Sequence, residues 1–228
     1  MAFVNKNIFD LNGKLGNVIF RNRNGKLVAY VAPKHHRISK SEKSVDNRKK
    51  FGINVKLSKN ICSLKPLYSV WKNSKYEGSN TFTRILKFNY KSSKPGRLTL
   101  NNALTPISIG LDAMSINISN GILSINFQIP NLENNNLISP FYINIIVFLH
   151  DTKEEHKDVG TQFITFNVPI LEKQESGIYS FQYDFDKSTR GNIEYYTKCN
   201  VYFALVKIEN YENNPVWSTS YSVEVPVL

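Results

Sequence analysis

Residue types that bind metals occur together at two places in the 228-residue sequence. His35 and His36 are adjacent, and residues 151–158 hold four carboxylates, one imidazole and two lysines. Adjacent side chains on an extended segment point to opposite sides, and the acidic segment lacks the alternating oxygen ligands and internal glycine of an EF-hand loop. We therefore expect a basic connector at the first place and a charged strand connection at the second, instead of zinc or calcium sites.

Residues that could support nucleotide binding or catalysis lack their usual partners. Gly13-x-x-Gly16 opens a predicted hairpin and has no following Gly-Lys-Ser/Thr sequence, so it is not a phosphate-binding loop. There is no Gly-x-Ser-x-Gly elbow, and Cys62 and Cys199 have neither disulfide nor zinc-ligand spacing. Asp184 and Asp186 would share one strand face, as a glycosidase pair could, but strand-end carboxylates are usually solvated. The sequence therefore predicts a non-enzymatic protein with no cofactor and no metal.

The charge distribution is the most informative feature of the composition. Residues 1–100 hold 22 Lys/Arg against 4 Asp/Glu, a net charge of +18, whereas residues 101–228 hold 7 against 14, a net charge of −7. Such an asymmetry concerns partners or self-assembly and not the fold. No apolar run reaches the ~18 residues of a membrane helix, and residues 1–20 lack a signal-peptide pattern. We expect a soluble protein of a virion or the cytoplasm, without a membrane partner.

A β-hairpin is predicted over residues 13–31. Its Asn24-Gly25 turn is the strongest two-residue hairpin signal, because both turn positions need positive φ. Gly16 indicates a bulge or a close backbone approach. Residues 2–4 are interpreted as an edge strand or an ordered arm, and residues 33–40 as an extended basic connector.

Three helices are predicted after the connector. The first runs from an N-cap at Ser41 to about residue 60, and the second from Pro66 to about residue 74. Asn80 caps the third. The residues expected to face a core are Val45, Phe51, Val55 and Cys62 in the first helix, Leu67, Tyr68 and Trp71 in the second, and Phe82, Ile85, Leu86 and Phe88 or Tyr90 in the third.

From residue 97 onward the apolar period is two, which predicts about seven strands, the first at residues 107–111, with the spacing of a β-sandwich. Asn120-Gly121 predicts a type I′ turn. Residues 141–149 are apolar enough to form a central strand buried on both faces. The alternating aromatic residues of segment 179–185 are interpreted as core, with an exposed stripe for carbohydrate or protein as the alternative. The last strand is expected at residues 216–227.

Residues 91–96 are predicted to be a linker, because the sign of the charge changes just after them. The expected organisation is a basic β-hairpin and helical module at residues 1–95, followed by an acidic β-sandwich domain at residues 97–228. The predicted fold class is therefore α+β, with short helices and an immunoglobulin- or fibronectin-like antiparallel sandwich.

Five segments stand in a characteristic order in the first half of the chain. They are Gly13-Lys14-Leu15-Gly16-Asn17-Val18, Gly25-Lys26, Arg48-Lys49-Lys50-Phe51-Gly52, Trp71 and Arg84-Ile85-Leu86-Lys87-Phe88-Asn89. Their order resembles an uncharacterised protein family of Bacteroidetes-type bacteria and their phages. The resemblance covers roughly residues 10–110. It implies a G-K-x-G-x-V hairpin, a basic helix and a β-rich C-terminal region, and it implies no activity and no catalytic residues.

Two functions follow from the charge distribution. The first is a structural or assembly protein, such as a phage virion or phage-derived component, in which the basic module of one subunit meets the acidic sandwich of the next in a homo-oligomer. The alternative is a nucleic-acid-binding protein whose cations track phosphates, although no known reader motif is present. The candidate charged contact surface is Arg21, Arg23, Lys26, Lys34, Arg37, Arg48, Lys49 and Lys56.

Overall fold

The computed structural model describes residues 2–4, 13–23, 26–32, 38–106, 112–128, 141–170, 178–209 and 214–227. The chain divides into two compact units, Met1–Ser41 and Glu42–Leu228. The predicted strand at residues 107–111, the Asn24-Gly25 turn and residues 33–37 of the connector lie outside the described residues.

The first unit contains a four-stranded antiparallel sheet. Its strands are β1 (Ala2–Val4), β2 (Gly13–Leu15), β3 (Val18–Arg23) and β4 (Lys26–Val31), in the order β1-β4-β3-β2. The predicted hairpin is confirmed as β3 and β4, and β1 is confirmed as an edge strand. Gly16 has a φ of +58° in the two-residue turn between β2 and β3, so it serves a tight turn and not a bulge.

The second unit has three layers. Three helices cover one face of a five-stranded sheet, and a three-stranded sheet covers its other face. The large sheet has the order β11-β10-β7-β8, with β12 also paired to β10, and the small sheet has the order β5-β6-β9. The strands are β5 (Asp112–Ser119), β6 (Ile122–Gln128), β7 (Phe141–Thr152), β8 (Gln162–Ile170), β9 (Ile178–Asp184), β10 (Tyr196–Glu209), β11 (Asn214–Ser218) and β12 (Tyr221–Pro226). The helices are α1 (Glu42–Ser63), α2 (Lys65–Lys72), α3 (Thr81–Tyr90) and α4 (Lys187–Ile193).

The central strand β7 contributes to two hydrophobic cores. Ile145 and Val147 face the small sheet, whereas Ile146 and Phe148 face the helices. The prediction of a strand buried on both faces is therefore confirmed. The fold is mixed α+β with two antiparallel sheets packed face to face, and the antiparallel pairing runs through both sheets.

Two sequence predictions about the small sheet are also confirmed. Asn120 and Gly121 have φ values of +52° and +73°, as a type I′ turn requires, and they join β5 to β6. Tyr179 is buried, while Phe181 and Tyr183 are half-buried and pack on the core between the sheets. The aromatic residues of this segment are therefore core residues and not an exposed stripe.

The helices form where the sequence predicts them, and the predicted core residues Leu67, Trp71 and Cys62 are confirmed, but Phe51 and Tyr68 are wrong. Ile53, Leu57 and Ile61 are the buried apolar residues of α1, whereas Phe51 is 51% exposed. In α2, Trp71 is fully buried and Tyr68 is 41% exposed. α1 carries a second apolar stripe, and contact with the large sheet selects the stripe that is buried. The Asn80 cap is confirmed, with a reciprocal capping box to Thr83.

The segment predicted as a linker is an ordered part of the second unit. Lys94 and Arg97 exchange backbone hydrogen bonds across a turn in which Gly96 has a φ of +70°. Ser93 and Leu98 are buried. Because α1–α3 share a core with the large sheet, they belong to the second unit, and the boundary along the chain falls after residue 41. This boundary differs from the predicted division into residues 1–95 and 97–228.

The C-terminal prediction of one strand at residues 216–227 is wrong. The chain forms β11 and β12, which pair with successive parts of β10, and Thr219 and Ser220 lie between them. The sequence also gave no prediction of α4, whose N-cap is Asp186. Hydrogen bonds from Thr189 lower the pKa of this exposed carboxyl.

The two cysteines differ in burial. Burial, with a smaller contribution from the Glu224 carboxylate, raises the pKa of the Cys199 thiol to about 12. Burial also raises the pKa of half-buried Cys62. Both thiols are protonated near neutral pH, and the thiolate is the reactive form. We expect an alkylating reagent to modify Cys62 slowly and Cys199 only after unfolding, as mass spectrometry with and without urea would show; equal rates in the folded protein would contradict this burial.

Candidate charged contact surface

The helical layer carries most of the positive charge of the second unit. Residues 42–100 hold 14 Lys/Arg against 3 Asp/Glu. On α1, Arg48, Lys56 and Lys59 are exposed and lie 8 and 11 residues apart, close to two and three helical turns. Lys49 is exposed beside them. We call Lys49, Lys56 and Lys59 the lysine face, because these three form no ion pair with any residue that the structure describes.

The first half of α1 contributes no buried side chain. Every buried residue of the helix lies between Ile53 and Ile61. Phe51 is exposed among the cations, and the Lys50 ammonium lies 5.0 Å from the centre of the Tyr90 ring. Arg48 donates a hydrogen bond to the Ser44 hydroxyl at 2.8 Å. This half of the helix is therefore available for a contact that the core does not need.

The remaining predicted contact residues lie elsewhere in the chain. Arg21 and Lys26 are exposed in the first unit, and the Arg21 guanidinium lies 6.0 Å from the centre of the Tyr30 ring. Arg23 pairs with Lys26 in the β3–β4 register. Lys34 and Arg37 lie outside the described residues. The predicted set is therefore divided between the first unit, the connector and α1.

Carboxylates gather at one end of the sandwich, which we call the acidic end. Ten Asp/Glu residues lie in the described segments from residue 112 onward, and eight of them belong to this end. The end is built where β7 finishes beside the start of β10 and where α4 follows β9. Its eight carboxylates are Asp151, Glu154, Glu155, Asp158, Asp184, Asp186, Glu194 and Glu224.

Four carboxylates of the acidic end are exposed and have no ion pair within the described part of the chain, and one of them, Asp186, accepts hydrogen bonds from Thr189. The other three are Glu155, Asp158 and Glu194. Other carboxylates of the acidic end form ion pairs with nearby residues: Glu154 pairs with Lys157, and Asp184 pairs with Arg190. Three unpaired lysines on one surface and three unpaired carboxylates on another give the unit two complementary patches.

A buried histidine lies at the acidic end and was not predicted from the sequence. His150 is 2% exposed, with Nδ1 3.2 Å from the Asp151 carboxylate and Nε2 2.9 Å from Oδ1 of Asn200. Arg97 pairs with Asp151 at 3.1 Å and with Glu224 at 3.3 Å. The cluster ties the turn after α3 to β7, β10 and β12. Pairs as exposed as those of Arg97 contribute about 0–1 kcal/mol each.

One residue of this cluster has a left-handed backbone conformation. Asp151 has a φ of +56°, a conformation that residues other than glycine, asparagine and aspartate rarely adopt. The Asn200 amide donates to the Tyr202 hydroxyl at 3.1 Å, and that hydroxyl donates to the carbonyl of Thr99 at 2.9 Å. Burial raises the pKa of the Tyr202 hydroxyl. A histidine within an apolar strand, followed by aspartate, was the sequence signal for this cluster.

The other candidate sites of the sequence have structural neighbours. Residues 154–156 form a short 3-10 helix, and the ring of His156 lies 4.4 Å from that of Tyr195. Within the ranges that the structure describes, no group of three His, Cys, Asp or Glu side chains could hold a metal ion. His35 and His36 lie outside those ranges. No helix among the described residues is long and apolar enough to cross a membrane.

Comparison with known proteins identifies no family for this chain. No family model and no curated protein matches it. Among solved structures, the crystal structure of MtrC from Shewanella baltica OS185 is similar to it at 13% identity and a TM-score of 0.35. The similarity covers 52% of this chain and 22% of MtrC, so the chain spans about a fifth of that protein. A similarity at this level supports no inference about fold or function.

Proposed function

We propose that this protein is a non-enzymatic structural or assembly protein that acts through protein–protein contacts. In this proposal the lysine face of one copy contacts the acidic end of another. The observation that supports it is the presence of unpaired charges of opposite sign on separate surfaces of one folded unit. A contact between two different surfaces repeats from copy to copy and builds rings or filaments.

The proposal extends to the setting of the protein and the type of sandwich. The order of motifs in residues 10–110 supports a phage virion or phage-derived component. The two face-to-face antiparallel sheets support an immunoglobulin- or fibronectin-like sandwich. Such sandwiches present loops at their two ends, and here one end carries the unpaired carboxylates.

Reversing the charge of the lysine face tests the assembly function. We expect Lys49→Glu, Lys56→Glu and Lys59→Glu together to weaken self-association of the full chain by about tenfold or more, because like charges then face each other. Sedimentation velocity at low salt measures the change. A matched control places the same three substitutions at exposed Lys72, Lys75 and Lys87. Equal self-association of both variants and the original chain would contradict the proposed contact.

Nucleic-acid binding is the second candidate, and the exposed basic stripe on α1 supports it. Each phosphate that a cation neutralises on duplex DNA contributes about −0.9 to the slope of log K against log salt. If the stripe binds DNA, reversing the lysine face reduces this slope, while reversing Glu155, Asp158 and Glu194 does not weaken binding. Replacing Arg21, Arg23 and Lys26 by glutamate shows whether the hairpin of the first unit takes part. Absence of DNA binding at low salt would exclude this candidate.

A further inference from the structure

The strand β8 is an edge of the large sheet. In the part of the chain that the structure describes, β8 pairs with β7 alone, in an unbroken register from Gln162 with Leu149 to Ile170 with Phe141. An edge strand presents a row of backbone N–H and C=O groups to any strand that approaches it. The nine residues of β8 span about 30 Å.

This edge lacks the features that usually prevent edge pairing. Its sequence, Gln-Phe-Ile-Thr-Phe-Asn-Val-Pro-Ile, contains no charged residue. It has no bulge, and its one proline is next to last. Edge strands in monomeric proteins are commonly short, charged, bulged or interrupted by proline. The contrast indicates that β8 has a pairing partner.

Among the described residues, no strand pairs with the small sheet on the same side. β9 is its edge strand, and the rings of Phe166 on β8 and Tyr183 on β9 are stacked 4.0 Å apart. Phe181 lies beside them and, like both, is half-buried. On the opposite side, Ile118 and Val227 form a bridge that joins the two sheets. The apolar interior of the sandwich therefore reaches the surface between β8 and β9.

A strand that pairs with β8 must carry no charge on either face. Phe163 packs on the core beneath the helices, whereas Ile164 and Phe166 pack on the core between the sheets. A strand added beside β8 continues both cores, so a strand with charges on either face would bury them. β8 meets this requirement itself, and two uncharged copies meet without repulsion between charged side chains.

The area available is also sufficient for a dimer. The surface along β8 is about 30 Å long, and it is about 20 Å high if it includes the helix layer and both sheets. It therefore covers about 600 Å² on each copy. The total of about 1,200 Å² lies at the lower limit of stable interfaces.

We infer that β8 pairs antiparallel with β8 of a second copy of this chain, which joins the two large sheets across a two-fold axis. The dimer deepens the proposed function, since both are self-association, but it uses a different surface and different chemistry. The β8 contact is uncharged and persists at high salt, whereas the contact between the lysine face and the acidic end is screened.

Asn167 provides the test, because it is the exposed residue in the middle of the edge. Sedimentation velocity of the full chain is measured at about 50 mM and about 500 mM NaCl. At about 500 mM NaCl, where the charged contact is screened, we expect a dimer for the original chain and a monomer for Asn167→Lys and for Asn167→Asp. Asn101→Lys, which adds the same charge to an exposed turn, is expected to remain dimeric. Circular dichroism shows whether each variant is folded.

The outcomes separate the two contacts. A dimer that persists at high salt and is lost there in both Asn167 variants supports β8 pairing, whatever the effect of reversing the lysine face. Self-association that disappears at high salt, or a high-salt dimer that the Asn167 variants leave unchanged, overturns β8 pairing. In the salt-sensitive case the charged contact is retained, provided that reversal of the lysine face abolishes it.

Discussion

Replacing Trp71 by alanine is expected to lower the free energy of unfolding by about 3–5 kcal/mol. The Trp71 side chain is fully buried beneath the large sheet, and its ring lies 5.3 Å from that of Phe88. Its indole N–H donates to the carbonyl of Leu104 at 2.7 Å. The substitution therefore removes the largest side chain of this core and leaves a buried carbonyl without its donor.

Two further variants of α2 make this measurement specific. Trp71→Phe keeps an aromatic ring but not the donor, and it is expected to cost about 1–3 kcal/mol. Tyr68→Ala, on the exposed face of the same helix, is expected to change the free energy of unfolding by less than about 1 kcal/mol. Urea denaturation measures all three. Similar losses for Trp71→Ala and Tyr68→Ala would contradict the observed orientation of α2.

Replacing Asn89 by alanine is the second substitution for which we expect a large effect, a loss of about 2–3 kcal/mol. The Asn89 side chain is fully buried at the end of α3. Its amide donates to the carbonyl of Ala103 at 3.1 Å, and its oxygen accepts from the Ala103 N–H at 2.8 Å and from Asn102 at 3.2 Å. Asn102 in turn donates to the Ser93 hydroxyl. These bonds fix residues 91–106 against the helical layer.

Hydrogen exchange shows where the Asn89 substitution acts. We expect the amides of residues 91–106 to exchange faster in Asn89→Ala while those of β7 and β10 remain protected, because the lost bonds hold the turn and not the sheet. Asn101→Ala, at an exposed position of the same segment, is the control. Fast exchange of residues 91–106 in the unsubstituted protein would restore the interpretation of this segment as a linker.

Local signals in the sequence predicted many of the elements. The type I′ turn at Asn120-Gly121 and the cap at Asn80 depend on residues next to each other in the chain, so their chemistry is visible without the fold. The continuous apolar run of β7 likewise predicts a strand with two buried faces. The buried face of α1 is not local information. Ile53, Leu57 and Ile61 form one of two apolar stripes on α1. This stripe is the buried one because it shares a core with Phe148 and Tyr202 of the sheet.

The candidate site was predictable only in part for the same reason. The lysines of α1 lie close together in the sequence, so their common face follows from helical periodicity. The carboxylates of the acidic end are separated by as many as 73 positions, from Asp151 to Glu224, and only the strand topology brings them together. Residues 91–96 look like a linker by composition. The hydrogen bonds that order this segment join Asn102 to Asn89 and to Ser93, and such bonds between non-adjacent residues are not visible in the sequence.

A charge exchange tests the proposed assembly contact most directly. The lysine face is reversed by Lys49→Glu, Lys56→Glu and Lys59→Glu, and the acidic end by Glu155→Lys, Asp158→Lys and Glu194→Lys. Self-association at low salt is measured by sedimentation for each triple variant and for the chain that carries all six substitutions. We predict that each triple variant loses salt-sensitive association and that the six-substitution chain regains it, because opposite charges face each other again. Failure of the six-substitution chain to regain association would contradict a contact between the lysine face and the acidic end.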